Sequence, residues 1–305
     1  MTKIHSTFRG AYFALALVVC STAYTSSAQA QGVLRFVAST GSDANDCLRT
    51  TPCRSINRGV QSAPSGAELI ILDTAGYGPT VTVNKSITIS APSGVAATIA
   101  TPSGVSITIT AGDVVLRGLV LIGQDTGTRG IEFQAGSSLS VENCTINGFS
   151  EAGIFGTSPG AALFVKDTTI RNGGLDGIFV GALSATIDNC RLERNGTNND
   201  GFGIYALANS RVTVSDTVAA NNGQGFVVED SAELNAENCV AANNTTNGFR
   251  SAGAGTPIMR VSNSAATNNG TGFRQTTGTF ESRGNNTVRG NATNTVGTIT
   301  AIPGT

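Results

Sequence analysis

Four charged residues stand at spacings where they could act together on an anionic substrate. Glu142, Lys166 and Asp188 follow one another at steps of 24 and 22 residues, and Arg191 comes three residues later. Carboxylate oxygens can hold Ca²⁺, and a nearby basic side chain can remove a proton from the bound substrate. Lys166 would compete with a cation, however, and the same residues can form a solvated charge ladder worth ~0–1 kcal/mol per pair. They are therefore catalytic candidates, with a surface ladder as the alternative.

Histidine and cysteine chemistry is restricted. The only histidine, His5, lies in a segment that is predicted below to be removed, so no histidine triad or histidine metal site is expected. Cys144, Cys190 and Cys239 recur two coils apart in the repeat described below, which predicts Cα separations of roughly 9–10 Å. That distance is too long for a disulfide or a shared zinc ion. We expect these cysteines to be buried fillers, and we expect no metal or other cofactor.

Cys47 and Cys53 are different, because they lie six residues apart in a segment expected to be exported. An oxidising compartment favours a disulfide between them, with two free thiols as the alternative. Asp43, Asn45 and Asp46 in the same segment lack the full spacing of a calcium-binding loop. A turn held by hydrogen bonds from these side chains is the preferred interpretation.

A repeat organises most of the chain. A glycine followed by a bulky apolar residue recurs at steps of 22 to 26 residues, and a column of mostly small residues keeps the same spacing. Two independent columns establish an internal repeat. The pairs are Gly130-Ile131, Gly153-Ile154, Gly177-Ile178, Gly203-Ile204, Gly225-Phe226, Gly248-Phe249 and Gly272-Phe273, and the second column is Leu119, Cys144, Thr168, Cys190, Thr217, Cys239 and Ser264.

Each unit of about 24 residues reads as three short strands separated by turns. Asparagine and aspartate tolerate the left-handed backbone of sharp corners and can bond to neighbouring backbone, so two columns of them predict corner ladders. One column is Asn143, Asp167, Asn189, Asp216, Asn238 and Asn263, and the other is Asn172, Asn195, Asn221, Asn243 and Asn268. The N-x-[ST] patterns that result are read as by-products of the corners.

Three strands per coil predict an all-β solenoid, a parallel β-helix whose coils share one core, and the usual hand of parallel crossovers makes it right-handed. These units resemble the right-handed β-helix repeats of the pectin-lyase-like superfamily, and the segment 36–53 resembles the N-terminal segment of many bacterial members. That superfamily includes polysaccharide lyases, glycoside hydrolases, epimerases and exported proteins of unknown role. The resemblance implies a scaffold and no particular reaction. Members similar to polygalacturonases carry clustered aspartates plus a histidine, a set that this chain lacks.

One further column has the composition of a ligand-binding surface. The residues directly after each Gly-apolar pair should point outward, and they are Glu132, Phe155, Phe179, Tyr205, Val227, Arg250 and Arg274. Three aromatic residues in register can stack on sugar rings or seat a partner chain, and the arginines could guide an acidic sugar chain. The candidate ligand-binding residues are Phe155, Phe179, Tyr205, Arg250 and Arg274. The alternative is an aromatic ladder that only stabilises the fold.

The chain divides into four predicted segments. Residues 1–30 have a basic start, a short apolar stretch and the cleavage site Ala28-Gln29-Ala30, which is typical of a signal peptide. Residues 31–80 form an N-terminal segment in which Ser55–Ala63 predicts a short capping helix. Residues 81–291 form the β-helix, and 292–305 are a polar tail. A secreted or periplasmic location follows.

Function is predicted only in outline. A net charge of −1 argues against a nucleic-acid partner, and no other stretch is apolar enough to span a membrane. We expect an exported, non-catalytic protein with a binding or structural role at the cell surface, with polysaccharide as the candidate partner. The alternatives are a calcium-dependent polysaccharide lyase or a related carbohydrate-active enzyme, and an adhesin-like or assembly protein.

Export should be accompanied by cleavage after Ala30. Protein recovered from the exported fraction of a bacterial host is expected to begin at Gln31, because the A-x-A pattern places small residues where signal peptidases require them. N-terminal sequencing and intact mass measure this directly. An exported product that retains Met1 would contradict the prediction.

Overall fold

The computed structural model describes residues 33–196 and 200–303, and the predicted signal peptide lies outside them. The described chain winds through three parallel sheets, named here A, B and C in the order in which each coil visits them. Sheet A contains Leu34–Val37, Ala67–Ile71, Ile87–Ser90, Asp113–Arg117, Ser138–Glu142, Ala162–Lys166, Ser184–Asp188, Arg211–Ser215, Glu233–Glu237, Ile258–Ser262, Thr279–Ser282 and Thr300–Ala301.

Sheets B and C each contain ten strands within the described ranges. Sheet B contains Ala75–Gly76, Ala97–Ala100, Leu119–Ile122, Thr145–Asn147, Thr169–Arg171, Arg191–Glu193, Val218–Ala220, Val240–Ala242, Ala265–Thr267 and Thr287–Arg289. Sheet C contains Val81–Asn84, Gly104–Ala111, Gly127–Phe133, Ala152–Gly156, Asp176–Gly181, Phe202–Leu207, Gln224–Val228, Asn247–Ser251, Thr271–Gln275 and Thr293–Val296.

Three strands per coil are confirmed, and neighbouring strands in a sheet belong to successive coils. The stacked strands extend beyond the predicted limits of 81 and 291. Leu34–Val37 and Ala67–Ile71 already pair in sheet A, while Thr293–Val296 and Thr300–Ala301 continue sheets C and A. The predicted N-terminal segment and polar tail therefore both contribute strands to the solenoid.

The interior is a set of apolar ladders. The predicted inward column is confirmed, since each of its seven members is at most 2% exposed and pairs in register with the next. Phe226 and Phe249 stack with their ring centroids 4.7 Å apart. Burying one such side chain contributes roughly 1.5–3 kcal/mol, so each coil of the column adds to the stabilising free energy. Its members are Ile131, Ile154, Ile178, Ile204, Phe226, Phe249 and Phe273.

The glycine before each of these residues is required by a close approach between coils. A Cβ atom on Gly177 would lie 2.6 Å from the carbonyl oxygen of Gly203, and one on Gly203 would lie 2.7 Å from that of Gly225. No side chain fits in that space, since real Cβ atoms do not approach backbone this closely. The glycine column thus lets consecutive coils stack at sheet spacing.

The corners between sheets A and B are left-handed as predicted, with φ between 47° and 54°. At the next corner one prediction is wrong: the left-handed residue is Arg194 (φ 55°), whereas Asn195 is the following residue and is fully buried. The residues with left-handed backbone at the first corner are Asn143, Asp167, Asn189, Asp216, Asn238 and Asn263, and those at the second are Asn172, Arg194, Asn221, Asn243 and Asn268.

Asn195 instead begins a buried amide ladder along the helix axis. The Oδ1 of each later asparagine accepts a hydrogen bond from the backbone N–H of the asparagine one coil earlier, as in Asn222 N to Asn244 Oδ1 (3.0 Å). The Oδ1 of Asn195 accepts from the backbone N–H of Gly173 at 3.0 Å. The Nδ2 of Asn244 donates to Ala219 O at 3.0 Å and to Asn269 Oδ1 at 2.9 Å. Backbone groups that the turn leaves unpaired are satisfied in this way. The ladder consists of Asn195, Asn222, Asn244, Asn269 and Asn291.

The N-terminal helix is Ile56–Ser62, and the Ser55 side chain caps it by accepting from Arg58 N at 3.2 Å. Ile56, Val60 and Ala63 are buried, as the amphipathic pattern predicted. The helix packs against the first strands of the solenoid, where Gly59 lies against Leu69.

A disulfide joins Cys47 to Cys53 in the preceding loop. In the same loop, Asp43 accepts hydrogen bonds from the backbone N–H groups of Arg54 and Ser55, at 2.9 and 2.8 Å. The Nδ2 of Asn45 donates to Pro52 O at 2.8 Å. These bonds match the interpretation of this segment as a turn held by its own side chains.

The amide ladder should be a major source of stability. Asn244→Ala leaves the buried N–H of Asn222 and the carbonyl of Ala219 without partners, so we expect a loss of about 2–4 kcal/mol in the free energy of unfolding. Asn243→Gly is the matched control, because Asn243 is exposed at a left-handed corner that glycine adopts freely. Denaturant titration compares the two, and equal losses would refute the role given to the ladder.

Candidate functional site

The four charged candidates do not form one constellation. Glu142, Lys166 and Asp188 lie at the ends of three neighbouring strands of sheet A, in register, whereas Arg191 lies in sheet B beyond the corner. Lys166 Nζ is 3.4 Å from Asp188 Oδ2, and the Arg191 guanidinium is 2.5 Å from Glu193. Arg117, which was not predicted, places its Nε 2.9 Å from Glu142 Oε2.

A cleft of about 510 Å³ adjoins this row. Each carboxylate in the row is already paired with a cation, which opposes Ca²⁺ binding. The described residues contain no group of three or more His, Cys, Asp or Glu side chains placed to hold one metal ion. The lining is Ser90, Ala91, Pro92, Ser93, Arg117, Glu142, Asn143, Lys166 and Asp167.

The predicted aromatic column lies on the outer surface of sheet C. Phe155, Phe179 and Tyr205 pair in register across three successive coils, and all three are partly exposed. Phe155 and Phe179 stack with centroids 4.4 Å apart and an interplanar angle of 17°. Tyr205 meets Phe179 edge-on at 5.7 Å. Consecutive coils therefore place ring against ring along the helix axis.

This stacking decides which part of each ring is accessible. Arg129 belongs to the preceding coil, and its guanidinium lies 3.7 Å from the centroid of the Phe155 ring. Phe179, on the following coil, stacks on the same ring. Phe202 stacks on Tyr205 at 4.4 Å. The ring faces are occupied by one another and by a cation, so the edges form the outer surface. A ligand would meet these edges, which carry partial positive charge.

A second column flanks the first and consists of the residue directly before each glycine. Its members contact the aromatic column from one side: Arg129 covers Phe155, Phe202 stacks on Tyr205, and Gln224 Oε1 accepts from Arg250 at 3.3 Å. We call the two columns together the aromatic face. The flanking column is Arg129, Ala152, Asp176, Phe202, Gln224, Asn247 and Thr271.

Buried polar atoms without partners are concentrated on the aromatic face. Among the described residues, seven buried side-chain nitrogen or oxygen atoms have no hydrogen-bond partner, and four of the seven are on this face. They are Asp176 Oδ1, Asn247 Oδ1, Arg250 Nε and Arg274 Nε. Leaving such atoms unpaired costs ~1–3 kcal/mol each.

Asp176 is the chemically unusual member of this set. It is 9% exposed, and burial raises the pKa of its carboxyl to about 7, although the nearby backbone N–H of Phe202 lowers it in part. The carboxyl is therefore largely protonated below neutral pH and able to donate a hydrogen bond. Ala152, on the preceding coil, pairs in register with Asp176. On the following coil, the backbone N–H of Phe202 donates to the carbonyl oxygen of Leu175, the residue before Asp176.

Tyr205 links the aromatic column to a charged pair. Its hydroxyl donates to Glu229 Oε2 at 2.8 Å, and Glu229 Oε1 is 3.5 Å from an Arg250 nitrogen. Burial, followed by the bond to Glu229, raises the pKa of Tyr205. The hydroxyl thus stays protonated near neutral pH and fixes the ring in place.

The outer column was predicted correctly in position, but its flanking column was not predicted at all. Reading the residue before each glycine, as well as the one after each apolar residue, would have found Arg129, Asp176 and Phe202.

The buried cysteines lie inward as expected: Cys144 and Cys190 are each 3% exposed, and burial raises the pKa of their thiols to about 12 and about 11. They are free thiols, as is Cys239.

Comparison with known proteins agrees with this architecture. The family model of a right-handed β-helix region matches residues 129–293. A crystal structure of pectate lyase Pel9A superposes with a TM-score of 0.53 at 15% identity, over 82% of this chain and 68% of the other. A rhamnogalacturonan lyase gives 0.55 at 15%, over 82% and 72%. A complex of XylC with xylose gives 0.57 at 11%, over 83% and 68%. No curated protein sequence matches the chain.

These similarities confirm a right-handed fold of the pectin-lyase-like kind. Sequence identities this low show a shared fold and do not show a shared reaction. Within residues 33–196 and 200–303, no helix has the length and apolar character to span a bilayer.

The titration of Asp176 should be visible in protein stability. Its carboxyl has a pKa of about 7 in the folded chain and an ordinary value of 3.8, so the folded state holds an extra proton between those values. Stability contributed by this group is complete at low pH and is lost as pH rises through about 7, by roughly 2–4 kcal/mol. Asp176→Asn removes this loss.

Denaturant titrations of Asp176→Asn and the parent protein from about pH 4 to pH 8 measure the difference. The free energy of unfolding of Asp176→Asn, relative to that of the parent protein, should rise with pH and level off above pH 7. Asp167→Asn is the control, because Asp167 is exposed at a corner where asparagine fits equally well. A difference curve that is flat for Asp176→Asn would rule out the raised pKa.

Proposed function

The chain belongs to the right-handed β-helix family, and we propose that it is an exported, non-catalytic protein that binds polysaccharide along its aromatic face. The observation that carries the proposal is the partly exposed row of Phe155, Phe179 and Tyr205 in register on three coils. An extended polymer lying along the helix axis would meet the same kind of surface at each ~4.8 Å step. A repetitive protein surface suits a repetitive ligand.

The polar groups beside the rings support a carbohydrate ligand. Arg129, Glu132 and Arg250 place partly exposed polar side chains beside the apolar strip, and sugars present apolar ring carbons together with many hydroxyls. The solved structures of this fold include ones named for a pectate lyase, a rhamnogalacturonan lyase and a complex with xylose. These names make carbohydrates the first ligand class to test.

Affinity for a single site should be modest. Contacts to ring edges and a few hydrogen bonds amount to about 1 kcal/mol per ring, and the ring faces are already occupied. Retention on a polymer that offers many overlapping sites would be stronger than binding of a short oligomer. We infer a role in holding the protein on a cell-surface or cell-wall polysaccharide, in keeping with the predicted signal peptide.

A calcium-dependent polysaccharide lyase is the second candidate, favoured by the cleft of about 510 Å³ beside Glu142 and Lys166. Chemistry there would require Ca²⁺ to displace Arg117 from Glu142 and Lys166 from Asp188. An adhesin-like or assembly role has less support, because Phe164 is the one exposed large aromatic among the described residues and forms no patch by itself.

Replacing Phe155, Phe179 and Tyr205 together by serine should reduce retention on insoluble cell-wall polysaccharide by about 100-fold, from three rings at ~1 kcal/mol each. Phe164→Ser is the matched control, because it removes an exposed ring from the outer face of sheet A. Circular dichroism checks that both variants fold. A pull-down assay quantifies retention, and a parallel absorbance assay with Ca²⁺ detects unsaturated lyase products.

Three results would count against binding on the aromatic face. The first is undiminished retention of the triple variant, and the second is an equal loss in Phe164→Ser. The third is loss of retention in Arg191→Ala alone, since Arg191 lies in sheet B. Formation of unsaturated product would support the lyase.

A further inference from the structure

We infer that Arg171, Arg191 and Arg194 form a second binding site, for acidic polysaccharide, at the outer surface of sheet B and its following corner. We call these three residues the arginine cluster. The cluster lies on a different sheet from the aromatic face, so the inference goes beyond the proposed function and does not depend on it. It concerns recognition and involves no covalent step.

The backbone of Arg194 is the first observation. This residue occupies the corner after sheet B with φ 55°, a left-handed conformation that is unfavourable for arginine. The other corners of this column, from Gly148 to Gly290, hold asparagine or glycine. An exposed arginine that its corner disfavours indicates a role other than stabilising the fold. The other members of the column are Gly148, Asn172, Asn221, Asn243, Asn268 and Gly290.

Arg191 departs from the composition of its own column in the same coil. It is the one charged residue among those that begin the sheet B strands between Thr145 and Thr287, and its side chain is 59% exposed. Two columns of the repeat therefore exchange a neutral residue for arginine at the same height on the solenoid. This column is Thr145, Thr169, Arg191, Val218, Val240, Ala265 and Thr287.

The third arginine lies beside these two on the preceding coil. Arg171 is exposed and pairs in register with Glu193, so Arg191 stands two residues before its partner and Arg194 one residue after it. A strand spacing of ~4.8 Å and a rise of ~3.3 Å per residue place the other two Cα atoms roughly 6–8 Å from that of Arg171. Arginine side chains are long enough to converge on one anionic group across that distance.

The arginine cluster carries positive charge that the protein does not neutralise. Glu193 is ion-paired with Arg191, whereas no ion pair among the described residues includes Arg171 or Arg194. Each guanidinium can bind a carboxylate through two parallel hydrogen bonds, and one glutamate cannot satisfy three guanidiniums. An anionic group of a ligand would accept from the remaining donors.

The surface beyond the arginine cluster indicates which kind of polyanion fits. On the next three coils, the strands of sheet B contain no lysine or arginine. A nucleic acid would need further basic residues along its path for its phosphates. The outward positions there are instead half-buried and apolar, so a sugar chain along the helix axis would place an acidic group on the cluster and ring carbons on this strip. These positions are Val218, Val240, Ala242 and Ala265.

The test measures binding of the mature protein to hyaluronate and to polygalacturonate by titration calorimetry. Arg171→Thr combined with Arg194→Asn removes two charges and introduces residue types that the repeat already has at these positions. We expect this double variant to bind at least one of the two polymers about ten-fold or more weakly than the parent does, because charge-assisted hydrogen bonds are lost. Binding by the parent should also weaken between about 50 and about 500 mM NaCl.

Arg283→Ser combined with Arg289→Thr is the matched control. Both arginines are exposed and lie at the C-terminal end of the solenoid, so removing the same charge there should leave the affinity unchanged. Arg194→Asn alone should not lower the melting temperature, because asparagine suits the left-handed corner. A lower melting temperature would give Arg194 a structural role and remove the first observation.

Three results would overturn the inference. The first is a parent protein that binds neither acidic polymer, and the second is an equal loss of affinity in the two double variants. The third is tighter binding of single-stranded DNA of matched length, which would assign the arginine cluster to nucleic acid.

The inference and the proposed function fail separately. If the triple aromatic variant loses binding to the acidic polymers while the Arg171/Arg194 double variant keeps it, the aromatic face is their site and the arginine cluster is not. If the acidic polymers bind through the arginine cluster while retention on cell-wall polysaccharide is the same in the triple variant and the parent, this inference stands and the proposed function fails.

Discussion

Coil-to-coil backbone hydrogen bonding is the constraint on which the rest of this molecule depends. Every parallel strand pair requires each coil to return at the same height and in the same register as the one before it. The glycine column permits this approach, because a side chain at Gly177 would collide with the carbonyl of Gly203. The buried asparagines satisfy the backbone groups that the turns leave unpaired, as Asn244 does for Asn222 and Ala219. Apolar ladders then fill an interior that the register has already defined.

The same register governs what the outer surface can do. Strand spacing brings Phe155 and Phe179 close enough to stack on each other, so their faces are consumed within the protein and only edges are presented. A surface that recognises sugars by stacking would need rings lying flat against solvent. Under the proposed function, recognition would therefore use the ring edges. The aromatic row is thus a stabilising ladder, and under the proposed function it is also the apolar part of the binding surface.

Electrostatics separates the two candidate surfaces. On sheet A, Glu142 and Asp188 are exposed enough for water to screen them, and each has a cation beside it. Their arrangement resembles an ordinary surface charge ladder. On the aromatic face, Asp176 is buried, and burial raises its pKa. The low-dielectric position, more than the number of charged groups, distinguishes a chemically distinct residue.

Periodicity in the sequence determined the fold class, the three strands per coil, the inward column beginning at Ile131 and the outward position of Phe155, Phe179 and Tyr205. These features follow from spacing alone, because identical coils must place equivalent residues alike. The sequence did not determine that Asn195 is buried one position past its corner, since a one-residue shift at a turn leaves the strand pattern unchanged. It also did not determine that ring faces would be covered or that Asp176 would lose its solvent. Those outcomes depend on contacts between residues of different coils, about 24 positions apart, which only the stacked structure brings together.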